Sequence, residues 1–433
     1  MSTTSTTQSR VALSASCLSI RNVSLAISHE VTGTEGYYAM NAQAHDVDVY
    51  KEEQVLGFLE RVCQAIELTE SQHQLAKARY EAVGQWLADS EEPLLRSLVI
   101  YPHGSIILGT TVKPPSGEEH DVDLVAFLEQ GTPQHLPGHI KQLMERRLRA
   151  NGRYAPILEE KRRCWRLNYA NEFHLDITPA IANPNCHLGG ELVPDKELRC
   201  WKPTNPRGYR AQFERRALLE PRVLAKDMRA YADSVEAFPR QVALKGVLRR
   251  IVQLSKRHRD LYFSERDALD LAPISVIITT LAAWSYEWCV QSRFYATQWS
   301  LVIDVIWHMP NFIVTRKAPN EPLWAVWNET TQGENFAERW NSEPARAAAF
   351  YEWHERLVAD ILRLREGQGL DQLLKASSAT FGESVTRRAM DAWTGSVNSA
   401  RTRGQLAVSA QRGIALASTN ATPVRRNTFH GSE

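Results

Sequence analysis

Two aspartates one residue apart, Asp121 and Asp123, open the apolar run "DVDLVAFL". In an extended strand, residues i and i+2 share a face, with backbones about 7 Å apart. Val122, Leu124 and Ala126 then take the opposite face, and Val125 and Phe127 continue the acidic face as apolar. A strand apolar on both faces reads as central and buried. Aspartate is disfavoured in strands, and two carboxylates this close repel each other, so a positive group belongs between them. Mg²⁺ suits the position, because it takes oxygen ligands and is held by one or two carboxylates plus substrate phosphates. Mn²⁺ is the alternative ion.

A second acidic strand follows in "FHLDI", where Phe173, Leu175 and Ile177 alternate with His174 and Asp176. If it lies beside the first, Asp176 completes a set of three carboxylates. Two Mg²⁺ ions about 4 Å apart can clamp an in-line displacement at phosphorus, one at the attacking hydroxyl and one at the leaving pyrophosphate. Gly104 and Ser105 supply a phosphate cradle. A glycine before a helix lets backbone approach a ligand closely, the first-turn amides bind phosphate oxygens, and the Ser105 hydroxyl adds a donor. No GxxxxGK[ST] loop occurs. Each short motif alone is weak; a DxD pair is more often a surface loop or strand edge, and only the combination is specific.

The elements needed to position these residues can be read from the flanking sequence. "KEEQVLGFLERVCQAIEL" places Val55, Phe58, Leu59, Val62 and Ile66 near one helical stripe. Thr69 reads as the N-cap of the next helix, which should brace both halves of the molecule. "LRSLVIY" is a strand, "GSIILGTT" a turn into a short helix, "HIKQLMERRLRA" a helix, and 155–178 two or three more strands. From about Arg207 the pattern is helical, with "QVALKGVLRRIVQLSKRHRDLYF", "APISVIITTLAAWSYEWCVQ" and "ARAAAFYEWHERLVADILRLREG" clearest. The expected fold class is α+β and two-lobed, a mixed twisted sheet carrying the metals beside a helical lobe. Residues 1–39 read as a disordered extension, with Met40 a candidate native start. Residues 40–235 form the catalytic lobe, 236–415 the helical lobe and 416–433 a flexible tail.

Composition narrows the function classes. The 433 residues carry 43% hydrophobic and 23% charged side chains, ordinary for a globular protein. The net charge of +1 advertises neither long nucleic acid nor an anionic membrane as a partner. Six scattered cysteines without a CxxC pair argue against structural zinc or a disulfide framework and fit a reducing cytoplasm. No apolar run reaches the roughly 18 residues of a membrane span. Tryptophans at helical spacing, such as Trp284 and Trp288, read as core.

"HGSIILGTTVKP…HDVDLVAFL" with "FHLDITPAI" resembles the bacterial CD-NTases, the cyclic-oligonucleotide synthases related to cyclic GMP–AMP synthase within the polymerase β-like nucleotidyltransferases. "WKPTNPRGYRAQFERR" is similar to that family's Asn-Pro-Gly-Tyr segment, and "VLRRIVQLSKRHRD", "ISVIITTLAA", "ENFAERW" and "PVRRNTFHG" to its later pieces. The resemblance spans roughly Met40 to Gly431 and implies NTP substrates, two Mg²⁺ ions on Asp121, Asp123 and Asp176, and the donor triphosphate at Gly104 and Ser105. It implies Lys256 and Ser275 as phosphate contacts. By charge alone Lys256 is equally a solvated basic helix face, Ser275 an early-helix serine satisfying its own backbone, and His120 a surface group. The implied role is antiphage signalling, with operon-encoded effector and regulatory proteins as partners. In some relatives the C-terminal tail is conjugated through its terminal residue; here Ser432 and Glu433 follow the usual glycine. The rival readings are a polymerase β-like transferase acting on RNA, protein or a small molecule, and a non-catalytic nucleotide-binding scaffold.

Overall fold

The structure is a computed structural model that describes residues 35–96, 98–115, 120–170, 172–195, 199–223, 246–316, 323–367, 369–409, 413–416 and 422–423. The chain divides into two compact units, 1–48 and 49–433, and the second holds the sheet and the helical lobe. The lobe boundary near 235 falls outside the described residues, as do residues 1–34 of the extension and most of the tail, Arg425, Arg426 and Phe429 included, but residues 35–39 are helical rather than disordered, and Leu416, Thr422 and Pro423 of the tail lie in paired strands.

Helix α1 (Glu35–Ile66) is followed by Thr69, which caps α2 (Glu70–Ala88). Thr69 and Gln72 bond each other's backbone in a reciprocal capping box, satisfying two otherwise orphaned amides. A short α3 (Pro93–Arg96) leads into β1 (Leu98–His103), α4 (Gly104–Leu108), β2 (His120–Leu128) and α5 (Pro137–Arg149). Then come β3 (Leu158–Glu160), β4 (Trp165–Tyr169), β5 (Phe173–Ala182), β6 (Glu191–Asp195), β7 (Cys200–Thr204) and α6 (Pro206–Ala217). The seven strands form one sheet in the order β1-β2-β5-β4-β3, with β6 joining β5 to β7. Within it only β2 and β5 pair in parallel; their neighbours are antiparallel, so the sheet is mixed.

One face of the sheet is apolar. Val122, Leu124, Phe173, Leu175 and Ile177 are buried there against Ile140, Met144 and Leu148 of α5. Ala76, Val83 and Leu87 of α2 close the same layer. The expectation that α2 braces both lobes is therefore corrected. No α2 residue joins the helical core; that position falls to α1, whose Val55, Phe58, Leu59, Val62 and Ile66 are all buried in it.

The helical lobe comprises α7 (Val247–Ser264), α8 (Ser275–Ser292), α9 (Gln298–His308), α10 (Glu338–Ser342), α11 (Ala345–Glu366), α12 (Leu370–Phe381) and α13 (Glu383–Thr402). Its core gathers Ile251, Ile278, Leu281, Leu301, Trp353 and Leu357. Trp284 packs against this core, but Trp288 lies partly on the surface, its ring against His308 and Arg293. Asn205 ties the two lobes together. Its side chain accepts from Gly208 N at 2.9 Å to cap α6 and donates to Thr330 O at 2.8 Å.

Candidate active site

The register of the sheet aligns one row of side chains across four strands. His103 on β1 faces Asp123 on β2, which faces Asp176 on β5, which faces Arg166 on β4. Directly opposed residues share a face. Two residues along, Asp121 faces His174, so the three carboxylates meet on the face opposite the apolar layer. A cleft of about 680 Å³ lies over this face, between the sheet and the helical lobe. Gly104, Ser105, Asp121, Asp123, Lys256 and Ser275 line it; Asp176, beside Asp123, does not.

Gly104 holds φ +67°, a left-handed conformation that side-chain-bearing residues rarely adopt. A Cβ there would collide with Asp123 Oδ2 and lie 3.2 Å from Asp123 Cγ. The glycine is thus needed twice, for the turn from β1 into α4 and for room beside Asp123. The Ser105 hydroxyl is met by Thr111 Oγ1 at 3.4 Å, and Ser105 O accepts from Thr110 N at 2.9 Å, which closes the end of α4.

The electrostatics follow from crowding. Burial, then the charges of Asp176 and Asp121, push the Asp123 carboxyl up to about 7, against Lys256 and Arg166. Burial pushes His103 down to about 4 despite Asp176, and His103 Nε2 finds no hydrogen-bond partner among the described residues. Asp176 is held by Arg166 in a fork, Nε to Oδ1 at 2.7 Å and Nη2 to Oδ2 at 2.8 Å. The same Nη2 lies 3.1 Å from Asp121 Oδ1, and His174 Nδ1 lies 3.4 Å from it. Burial and the nearby Asp176 also push the Cys164 thiol up.

Lys256 is not on a solvated face. It is only 4% exposed, and its Nζ donates to Thr110 O at 3.2 Å and Oγ1 at 3.3 Å, just past α4. Burial, then Arg259, push its ammonium down to about 7. Ser275 opens α8 and accepts from Arg259 Nη1 at 3.2 Å, while Arg259 also grips Pro273 O and Asp260. Reading the sequence missed Arg166 and His103. Arg166 was recoverable, because "WRLNY" before "FHLDI" makes an antiparallel pair that sets Arg166 opposite Asp176.

The donor set suits a hard divalent cation: three carboxylates, all oxygen, crowded until one holds its proton to near neutrality. A second group with ligand-type atoms, Cys289, Asp304 and His308, lies outside the cleft. There Arg293 meets both Asp304 oxygens, at 3.0 and 2.8 Å, and the Tyr295 hydroxyl donates to Oδ2 at 2.6 Å, so Asp304 is already satisfied.

Residues 55–216 match the Second Messenger Oligonucleotide or Dinucleotide Synthetase domain. A c-di-GMP synthase of Roseivirga ehrenbergii is 30% identical over 375 residues, 86% of this chain and 96% of that protein. The cyclic dinucleotide synthase CdnG of Bradyrhizobium diazoefficiens is 26% identical over 350 residues, 76% of this chain and 80% of that protein. Its solved structure, in complex with GTP, superposes with a TM-score of 0.60 and 23% identity, covering 78% of this chain and 97% of that one. The structure of Escherichia coli MS115-1 CdnC with ATP gives 0.51 and 14% identity over 77% and 98% of the two chains. These two share the mixed sheet and helical lobe. With a full-length relative at this identity, and carboxylates facing a nucleotide-sized cleft, the chain belongs to the bacterial CD-NTases, nucleotidyltransferases that synthesise cyclic oligonucleotides.

Proposed function

We propose that the chain joins GTP into a cyclic dinucleotide of the c-di-GMP type, with release of pyrophosphate. The observation that carries this reading is the row of Asp123 and Asp176, with Asp121 beside it, behind a cleft that Gly104, Ser105, Asp121 and Asp123 line. GTP is favoured because the Roseivirga relative is a c-di-GMP synthase and the Bradyrhizobium relative was solved with GTP. A cleft of about 680 Å³ falls within the roughly 300–1,000 Å³ of small-molecule sites.

Gly104, Ser105, Lys256 and Ser275 would receive the donor triphosphate. The first amides of α4 have no intrahelical partner and offer themselves to phosphate oxygens. Lys256, kept poorly charged by burial, would regain its proton beside the triphosphate. The hydroxyl oxygen of one nucleotide attacks the α-phosphorus of the other, the bond to pyrophosphate breaks, and the hydroxyl proton passes towards Asp176. A second turn of the same chemistry closes the ring. Members of this family use divalent metal ions. Asp121, Asp123 and Asp176 would hold two Mg²⁺, or Mn²⁺, which supply positive charge at the attacking and leaving oxygens when bound.

The product would serve antiphage signalling by activating a separate, operon-encoded effector in the cytoplasm. Among the described residues, no helix is long and apolar enough to cross a membrane. Incubation with labelled GTP, ATP, CTP and UTP plus Mg²⁺, then phosphatase digestion and mass spectrometry, tests the reading. A phosphatase-resistant cyclic guanine dinucleotide is expected. A linear adduct would point to transfer onto RNA, protein or a small molecule, and no product at all would point to a scaffold.

A further inference from the structure

Arg166 touches two of the three carboxylates. Its fork occupies both oxygens of Asp176, and its Nη2 bridges to Asp121. The arginine is 19% exposed and Asp176 14%, so the pair is largely shielded, whereas Asp121 is 55% exposed and has room to swing. Of the three carboxylates Asp121 and Asp123 line the cleft, while Asp176 and Arg166 lie together behind them.

A guanidinium placed between carboxylates does part of what a divalent cation does. It offsets their mutual repulsion and fixes their directions. It also competes with such a cation for the same lone pairs. A carboxylate has about four acceptor sites, so Asp176 can keep one Arg166 bond and still present an oxygen to the cleft. Asp121 meets Arg166 through Oδ1, the oxygen that His174 also approaches, and a cation shared with Asp123 competes for that oxygen.

We propose that Arg166 is a positioning residue that stands in for a divalent cation between Asp121 and Asp176, and that Asp121 must leave it before the site loads. Arg166 then stays on Asp176 and holds that carboxylate in place. This rests on the reading of the three carboxylates as the metal site. The consequence is a site that is tolerably stable without metal and takes up metal weakly until a nucleotide triphosphate arrives to share it.

The test uses the full chain without nucleotide. Thermal denaturation is followed in chelator and across a Mn²⁺ titration for wild type, Arg166→Gln and Arg166→Lys. In chelator, Arg166→Gln should melt lower than wild type, because shielded carboxylates lose their counter-ion. Its Mn²⁺ half-saturation should fall about tenfold, or about 1.4 kcal/mol, because the competitor is gone. Arg166→Lys, which keeps the charge without the fork, should lie between the two. An Arg166→Gln half-saturation equal to or above that of wild type overturns the proposal, as does a higher melting temperature in chelator. If Arg166→Gln yields no folded protein, the comparison of Arg166→Lys with wild type decides, and an unchanged half-saturation overturns it. Mn²⁺ that shifts none of the proteins brings down the metal-site reading as well; a shift equal in all three brings down only the role of Arg166.

Discussion

Substituting Gly104 by alanine should separate the stability of the site from its chemistry. The backbone there holds φ +67°, which costs a side-chain-bearing residue about 1–2 kcal/mol. The new Cβ would also meet Asp123, colliding with Oδ2 and standing 3.2 Å from Cγ and 3.3 Å from Cβ. Strand β2 cannot retreat, because Asp123 is paired with His103 on one side and Asp176 on the other. The Asp123 side chain must therefore leave its rotamer, at about 0.5–1.5 kcal/mol. The two terms together predict a loss of about 1.5–3.5 kcal/mol, which a domain of this size survives. Turnover should suffer far more, because in the proposed site Asp123 would no longer point beneath the triphosphate. Losing one preorganised charge-stabilising group costs roughly 100- to 1,000-fold. Gly404 provides the control. It has φ +69° and nothing within 4 Å of its would-be Cβ, so Gly404→Ala should incur only the backbone cost. Urea denaturation and pyrophosphate release, measured on both variants, decide the matter. A Gly104→Ala enzyme within tenfold of wild-type turnover, or a Gly404→Ala enzyme equally impaired, would refute the reasoning.

Asp176→Asn should lower turnover at least about 100-fold while a non-hydrolysable NTP still binds near wild-type affinity; near-normal turnover would make Asp176 a mere strand residue. Asp121→Ala with Asp123→Ala should abolish product and leave the chelated protein as stable as wild type or more so, since crowded carboxylates are removed; circular dichroism melts check it. Between the ordinary carboxylate value of 3.8 and about 7, folded Asp123 holds a proton that the unfolded chain has lost, so metal-free stability falls as pH rises through that window. Mn²⁺ binding should accordingly release close to one proton at pH 6 and almost none at pH 8.5, read by calorimetry in buffers of different ionisation heat. Lys256, pushed from 10.5 down to about 7, makes stability rise with pH between those values, because there the unfolded chain holds the extra proton. Lys256→Met should lose that slope, be more stable at pH 7, and bind a triphosphate analogue about tenfold more weakly, one charged hydrogen bond of about 1.5 kcal/mol.

The acidic face was legible because a period of two is hard to disguise. "DVDLVAFL" and "FHLDI" each state which residues share a face, and buried Val122, Leu124, Leu175 and Ile177 agree. What the alternation cannot state is the neighbour. Nothing local to β4 announces that Arg166 will lie across Asp176; that follows only from the antiparallel register of β4 with β5. Charge alone left Lys256 open between a phosphate contact and a solvated face for a related reason. "SKRHRD" looks like a solvated charge run, yet its buried ionisable members, Lys256, Arg257 and His258, each have an inward partner. Lys256 meets Thr110, Arg257 meets Phe381 O, and His258 meets Asp360. Helix α7 is packed on several sides, and charge counting along a sequence does not see a partner that arrives from a hundred residues away. The cap at Thr69 likewise announces α2 without naming what covers that helix, and the sheet rather than both lobes proved to be the cover.

Three carboxylates that repel one another can share a face only if something else fixes the strands. The apolar layer beneath them is sufficient. A one-residue slip of β5 against β2 would turn Phe173, Leu175 and Ile177 out to the cleft and Asp176 into the core. Exposing three such side chains costs roughly 5–9 kcal/mol at about 1.5–3 each. The repulsion to be held down is smaller. Raising the Asp123 carboxyl from 3.8 to about 7 corresponds to about 4–5 kcal/mol at about 1.4 per pKa unit, and repulsion is only part of it, because burial is the larger cause. The hydrophobic face therefore sets the register, and the acidic row is held in place by residues on the far side of the sheet. Mutations there reach the chemistry without touching it. Leu175→Ala, fully buried between Val122 and Leu167, removes only packing, about 2–5 kcal/mol. Its effect on turnover should appear as loss of folded enzyme, with the surviving fraction keeping wild-type activity per active site; a folded but slow enzyme would show that the register is held some other way.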